Sequence, residues 1–121
     1  MHPLLLFMGT GKASIPSPWA DISIVSPATQ ANNADEQVTW IGGAGTRTVK
    51  NSWASGGTLE YRLDAGAWTT YTQGGAGFAI THGQTLAWRM TLSSNQTAVA
   101  AAVTVNGALL DTFQISASGF P

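Results

Sequence analysis

The chain has 121 residues, of which 9% are charged and 44% hydrophobic, with five Lys and Arg against six Asp and Glu and no Cys. About a quarter of a globular domain is normally charged, so the chain is poor in charge without being poor in apolar residues, which excludes a charge-expanded disordered segment. Its few scattered cations cannot form the basic stripe that phosphate binding needs, so no nucleic-acid partner is expected; the missing Cys removes disulfides, thiolate metal sites and cysteine nucleophiles together.

The N-terminus reads Met1-His2-Pro3-Leu4-Leu5-Leu6-Phe7-Met8. A leader needs a basic start and an apolar run of about 7 to 15 residues, and a membrane helix about 20. The run from Leu4 to Met8 has neither the flank nor the length, so no membrane span is expected. Pro16 and Pro18 hold their neighbours extended, and residues 1–20 are predicted to be an extended arm ahead of a domain at 21–121. So apolar an arm must bury Leu4, Leu5, Leu6, Phe7 and Met8. It does so either as an edge strand or plug of its own domain, or by docking on a neighbouring subunit as strand addition. Trp19 is expected at such a subunit contact.

From residue 21 onward apolar residues alternate with polar ones, the period of a strand with one buried face. Ile22 and Ile24, Val38 and Trp40, Leu59 with Tyr61 and Leu63, Leu86 with Trp88 and Met90, Val99 to Val105, and Phe113 with Ile115 predict six strands. Weaker ones fall at 46–53, where Thr, Arg, Lys and Asn dilute the pattern, at 67–71 and at 78–80. Turn chemistry separates them: Asp64-Ala65-Gly66, His82-Gly83 and Asn106-Gly107 supply residues that tolerate positive φ, and Asn-Gly predicts a hairpin between 98–105 and 108–116. Eight or nine short strands at this spacing predict an all-β fold, a sandwich or a barrel.

The C-terminal half carries a more specific pattern. Leu59-Glu60-Tyr61-Arg62-Leu63-Asp64-Ala65-Gly66-Ala67-Trp68-Thr69, then His82-Gly83-Gln84-Thr85-Leu86-Ala87-Trp88-Arg89-Met90-Thr91, then Val103-Thr104-Val105-Asn106-Gly107 and Thr112-Phe113-Gln114-Ile115 follow one another. In order and spacing they resemble the immunoglobulin-like β-sandwich repeats of bacterial surface proteins and phage virion proteins. His82-Gly83-Gln84 stands where those repeats carry Asn-Gly-Asp. The resemblance implies an Ig-like antiparallel β-sandwich of seven to nine strands that acts as a spacer, decoration or adhesive module, and it brings no catalytic residues. It places Arg89 on the strand face opposite Leu86 and Trp88, where a cross-strand pair with Glu60 or Asp64 is expected.

Chemistry-bearing clusters are sparse. The two His, His2 and His82, have no metal-ligand spacing. Glu60 and Asp64 lie on one strand face roughly 13 Å apart at about 3.3 Å per residue, beyond the separation of about 5 to 9.5 Å that a glycosidase pair uses. Gly9-Thr10-Gly11-Lys12 lacks the rest of a phosphate loop. No enzyme activity, cofactor or metal is expected. Five Trp are the remaining binding signal, since planar rings stack on sugars. Trp40 and Trp88 fall in apolar rows and Trp68 follows a turn, so a glycan contact is assigned to Trp53 and Tyr71.

The function expected is that of a structural phage virion protein, a decoration, cement or tail-fibre subunit on the surface of a capsid or tail. Its partners would be other virion proteins, with homo-oligomers in a symmetric assembly. The alternative is a carbohydrate-binding adhesin or receptor-binding module, on a virion or a bacterial cell surface, with a cell-surface glycan as its ligand.

Overall fold

The computed structural model describes residues 11–121. Within them the chain is all-β: β1 (Ile22–Val25), β2 (Gln30–Asn32), β3 (Glu36–Gln37), β4 (Thr46–Trp53), β5 (Thr58–Leu63), β6 (Thr69–Thr70), β7 (Phe78–Thr81), β8 (Thr85–Thr91), β9 (Gln96–Val105) and β10 (Ala108–Ser118). Ten strands exceed the seven to nine expected because β2, β3 and β6 are pieces of two or three residues. One sheet runs β1-β10-β9-β4-β7; the other runs β2-β8-β5-β6, with β3 also on β8. All pairs are antiparallel except β1 with β10, which run parallel from Ile22 opposite Ile115 to Val25 opposite Ser118.

The period of two decides what each strand buries. β4, the diluted pattern, alternates without a break, with Arg47, Val49, Asn51 and Trp53 inward and Thr46, Thr48, Lys50 and Ser52 outward. Val38 and Trp40 are also inward, but not as a sheet strand: Thr39 between them exchanges both backbone hydrogen bonds with Ser14, at 2.8 and 3.0 Å.

Trp88 sits at the centre of the core, with the rings of Trp19, Tyr61, Tyr71, Phe78 and Phe113 at 5.9 to 6.5 Å between centroids. Most of these contacts are edge-on or tilted, the arrangements that ring quadrupoles favour.

Three turns show how local chemistry sets the path. Asn106 and Gly107 both take positive φ, 48° and 81°, as a two-residue hairpin between β9 and β10 requires, and Asn106 Oδ1 also accepts the Thr48 N–H at 2.8 Å. After β5 the left-handed residues are Asp64 and Ala65, at 54° and 55°, rather than Gly66. Gly77, at φ 80°, lies so close to the Val49 carbonyl that no side chain fits there.

The described part of the expected arm at 1–20 packs against the domain. Ser14 is bridged to Thr39, and Trp19 is 3% exposed, its backbone N–H bound to Asp111 Oδ2 and its indole N–H to the Leu86 carbonyl, both at 2.9 Å. Trp19 is therefore a plug of its own core and not a subunit contact: a large ring with one polar hydrogen is best satisfied where a buried carbonyl awaits it. Leu4, Leu5, Leu6, Phe7 and Met8 lie outside the described residues.

Candidate functional site

The polar side chains divide into those spent on holding strands together and those that are not. Arg62 forms a two-pronged pair with Asp35, 2.9 and 3.1 Å, and Arg89 pairs with Glu60 at 2.8 Å, one of the two partners expected for it. Trp68 lies half-buried between these cations on the outer face of the second sheet, with Arg62 and Arg89 at 4.6 and 4.7 Å from its ring. The remaining carboxylates accept backbone N–H groups: Asp21 from Gln114, Glu36 from Ser17, Asp64 from Thr85 and Asp111 from Trp19. All six Asp and Glu of the chain are thus engaged within it. Among the described residues no three His, Asp or Glu come together as a metal site, and no helix is long and apolar enough to cross a membrane.

One polar side chain stands apart. β7 pairs with β4 only as far as Val49, so on that side, the side away from β9, Lys50 to Trp53 have no strand beside them among the described residues. The segment after β6 covers this edge with side chains. Tyr71 Oη accepts the Asn51 N–H at 3.0 Å and Gln73 Oε1 accepts the Trp53 N–H at 2.6 Å. On the outer face of the same sheet, where Lys50, Ser52, Ala102 and Thr104 point, runs an open groove of about 500 Å³ that Tyr71, Gln73, Gly74 and Gly75 also line. Asn51 is 2% exposed, and both its amide atoms, Nδ2 and Oδ1, are buried without a hydrogen-bond partner among the described residues. Buried polar groups are nearly always paired, and each one left unpaired costs about 1 to 3 kcal/mol. The Trp53 and Trp88 indole nitrogens are also buried and unpaired among the described residues, and both rings pack on Tyr71, at 5.9 and 6.0 Å. Unmet hydrogen-bonding capacity thus gathers around one tyrosine.

Trp53 and Tyr71, assigned to a glycan contact, are neighbours, but not as an exposed stacking platform. They are 8% and 6% exposed, because position 53 is an inward register of β4 and the Tyr71 ring turns into the core. Only Tyr71 reaches the groove. Asn51, Gln73 and Thr104 were not singled out by sequence reasoning; the signal for Asn51 was a polar residue in an inward register, and the other two had none.

No protein-family model, curated protein or solved structure matches this chain.

Proposed function

We propose that the chain is a structural subunit of a phage particle, a decoration, cement or tail-fibre type of protein that anchors to a capsid or tail through its N-terminal segment. The observation that carries this reading is the use of the carboxylates. All six are bound to backbone donors or to arginines of the same chain, an allocation that suits rigidity rather than proton transfer. The resemblance of the C-terminal half to Ig-like repeats supplies the virion setting.

The anchor has a defined origin. Arg47 is 8% exposed, lies 4.6 Å from the Trp40 ring and donates from Nη1 to the Gly11 carbonyl at 2.6 Å. The apolar run from Leu4 to Met8 therefore precedes a pinned point on the sandwich, and Ile41, 70% exposed, sits beside that point. Docking of such a run on a neighbour gives a modest contact that symmetry repeats around a shell.

The test is deletion of residues 2–10, which spares Gly11 and Trp19. The truncated chain should melt within about 3 °C of the full-length protein, under about 1 kcal/mol for a domain of this size, and sediment as a monomer. The full-length chain should sediment as a larger assembly. Monomers in both cases, or loss of folding in the truncated chain, would overturn the anchoring role.

A further inference from the structure

We infer that the pocket between residues 13–18 and the start of β10 is a docking slot for the Leu4–Met8 run of a second copy of this chain, which enters it as an added strand. This deepens the anchoring role proposed above and rests on it: the run is the anchor and the slot is its receptor. The pocket holds about 260 Å³ and is lined by Ala13, Ser14, Ile15, Pro18, Leu110 and Asp111. That is below the range of about 300 to 1,000 Å³ typical of small-molecule sites, and suits individual side chains. Both walls carry backbone that no strand covers. Ser14 uses its N–H and its C=O on Thr39, so in the extended chain those of Ala13 and Ile15 point the opposite way, and among the described residues they make no backbone hydrogen bond. On the other wall, β1 pairs with β10 only from Ile115 onward, and Asp21 reaches back to the Gln114 N–H. From Ala108 to Thr112, β10 therefore has β9 on one side and no strand on the other among the described residues. Proteins normally cover such an edge or guard it with charge. Asp111 is the only charged residue of the lining, and its carboxylate is already bound to the Trp19 N–H.

The occupant follows from the chemistry of the lining and from where the chain leaves the fold. Ala13, Ile15 and Leu110 are half-buried apolar residues packed on the edge of the core, and the neighbouring Leu109 is 57% exposed, so the complement is an apolar segment without charge. Leu4-Leu5-Leu6-Phe7-Met8 is such a segment. As a strand it would span about 16 Å, at about 3.3 Å per residue, and it has as many residues as the uncovered stretch of β10 from Ala108 to Thr112. The run of the same chain is badly placed for the slot. Followed toward the N-terminus, the chain passes the pocket from Pro18 to Ala13, runs antiparallel to Thr39, and arrives at Gly11, which lies against Ile41 with its carbonyl held by Arg47. Only Gly9 and Thr10 separate Gly11 from Met8, so a chain would have to double back at once to fill its own slot. The run of a neighbouring copy needs no reversal, and each copy then offers one run and one slot. A head-to-tail contact of this kind repeats into a ring or a filament.

The experiment uses the absence of Cys from the chain: introduced thiols report contacts directly, because a disulfide forms only where two Cα atoms come within about 7 Å. Full-length Leu6→Cys protein is mixed with Pro18→Cys protein or, as a control at the end of β9 away from the slot, with Thr97→Cys protein, and oxidised gently. Pro18 and Thr97 are both exposed, so neither change disturbs the core. The Leu6–Pro18 pair should link at least about tenfold faster than the Leu6–Thr97 pair, since docking raises the effective concentration of one thiol at the other. A chain carrying both Leu6→Cys and Pro18→Cys should give linked dimers and longer ladders. Internally closed monomers of that double variant would overturn the proposal, because the run would then fill its own slot. Equal linking to Pro18 and Thr97, or none to Pro18, would overturn it as well, because the run would then dock elsewhere. Sedimentation of the unmodified chain separates this failure from failure of the anchoring role: an assembly without the Pro18 link keeps the anchor and removes the slot, and a monomer removes both.

Discussion

Truncating Trp19 to Ala separates the expected subunit contact from the core position the structure gives it, because a subunit contact would leave the isolated domain's stability untouched and a core plug would not. The side chain is 3% exposed and meets Trp88 and Phe113 edge-on at 6.2 and 6.5 Å. Removal of a buried Trp costs about 3 to 5 kcal/mol through lost transfer energy and the cavity left behind. Losing the indole N–H strands the Leu86 carbonyl, which adds about 1 kcal/mol. The sum, about 4 to 6 kcal/mol, is a large part of the roughly 5 to 15 kcal/mol that stabilises a domain, and corresponds to a fall of about 15 to 25 °C in melting temperature. Urea unfolding followed by circular dichroism measures it, and Trp19→Phe divides the effect: the ring stays, the hydrogen bond goes, and about 1 to 2 kcal/mol is lost. A cost below about 1 kcal/mol for Trp19→Ala would refute the assignment of this residue to the core.

Other perturbations follow from the same geometry. Ala65→Gly should stabilise the domain by about 0.5 to 1 kcal/mol in thermal melts, since Ala65 holds a left-handed φ of 55° that glycine adopts without strain. Asn106→Ala combines that strain with loss of the bond to Thr48, and a cost of about 1 to 2 kcal/mol by urea titration is expected. Trp68→Ala removes the ring between Arg62 and Arg89; at a half-buried site each cation–π contact is worth about 0.5 to 1 kcal/mol, and a double-mutant cycle with Arg62→Met should recover a coupling of that size.

The all-β class, the strands from Leu59 to Leu63, Leu86 to Met90 and 98–105, and the Asn106-Gly107 hairpin were legible because alternation and turn chemistry are local. Trp19 was not: two prolines suggested an arm, and nothing nearby in the chain announces that the Leu86 carbonyl and Asp111 wait to bind its two N–H groups. The contacts joining these residues span most of the molecule. β4 is the more instructive case. Arg, Lys and Asn made its pattern look weak, yet its alternation is regular; Arg47 occupies an inward register from which it reaches the Gly11 carbonyl, and Asn51 one in which its side chain is buried. The residues that obscured the strand are the ones that mark its special positions. Asn33 was equally unreadable: its side chain accepts the Trp88 N–H at 2.9 Å and bridges the gap on β8 between β2 and β3, a role visible only once both strands are in place.

The parallel pairing of β1 with β10 has a mechanical consequence. Tension applied ahead of β1 and beyond β10 draws two parallel strands past each other, so the rungs from Ile22–Ile115 to Val25–Ser118 share the load instead of parting one at a time. A subunit held by its N-terminal segment and pulled at its far end would carry force along this clamp. End-to-end stretching of single molecules should give one high-force rupture, and separating the first two core residues of β1 by substituting proline for Ser23 should lower it.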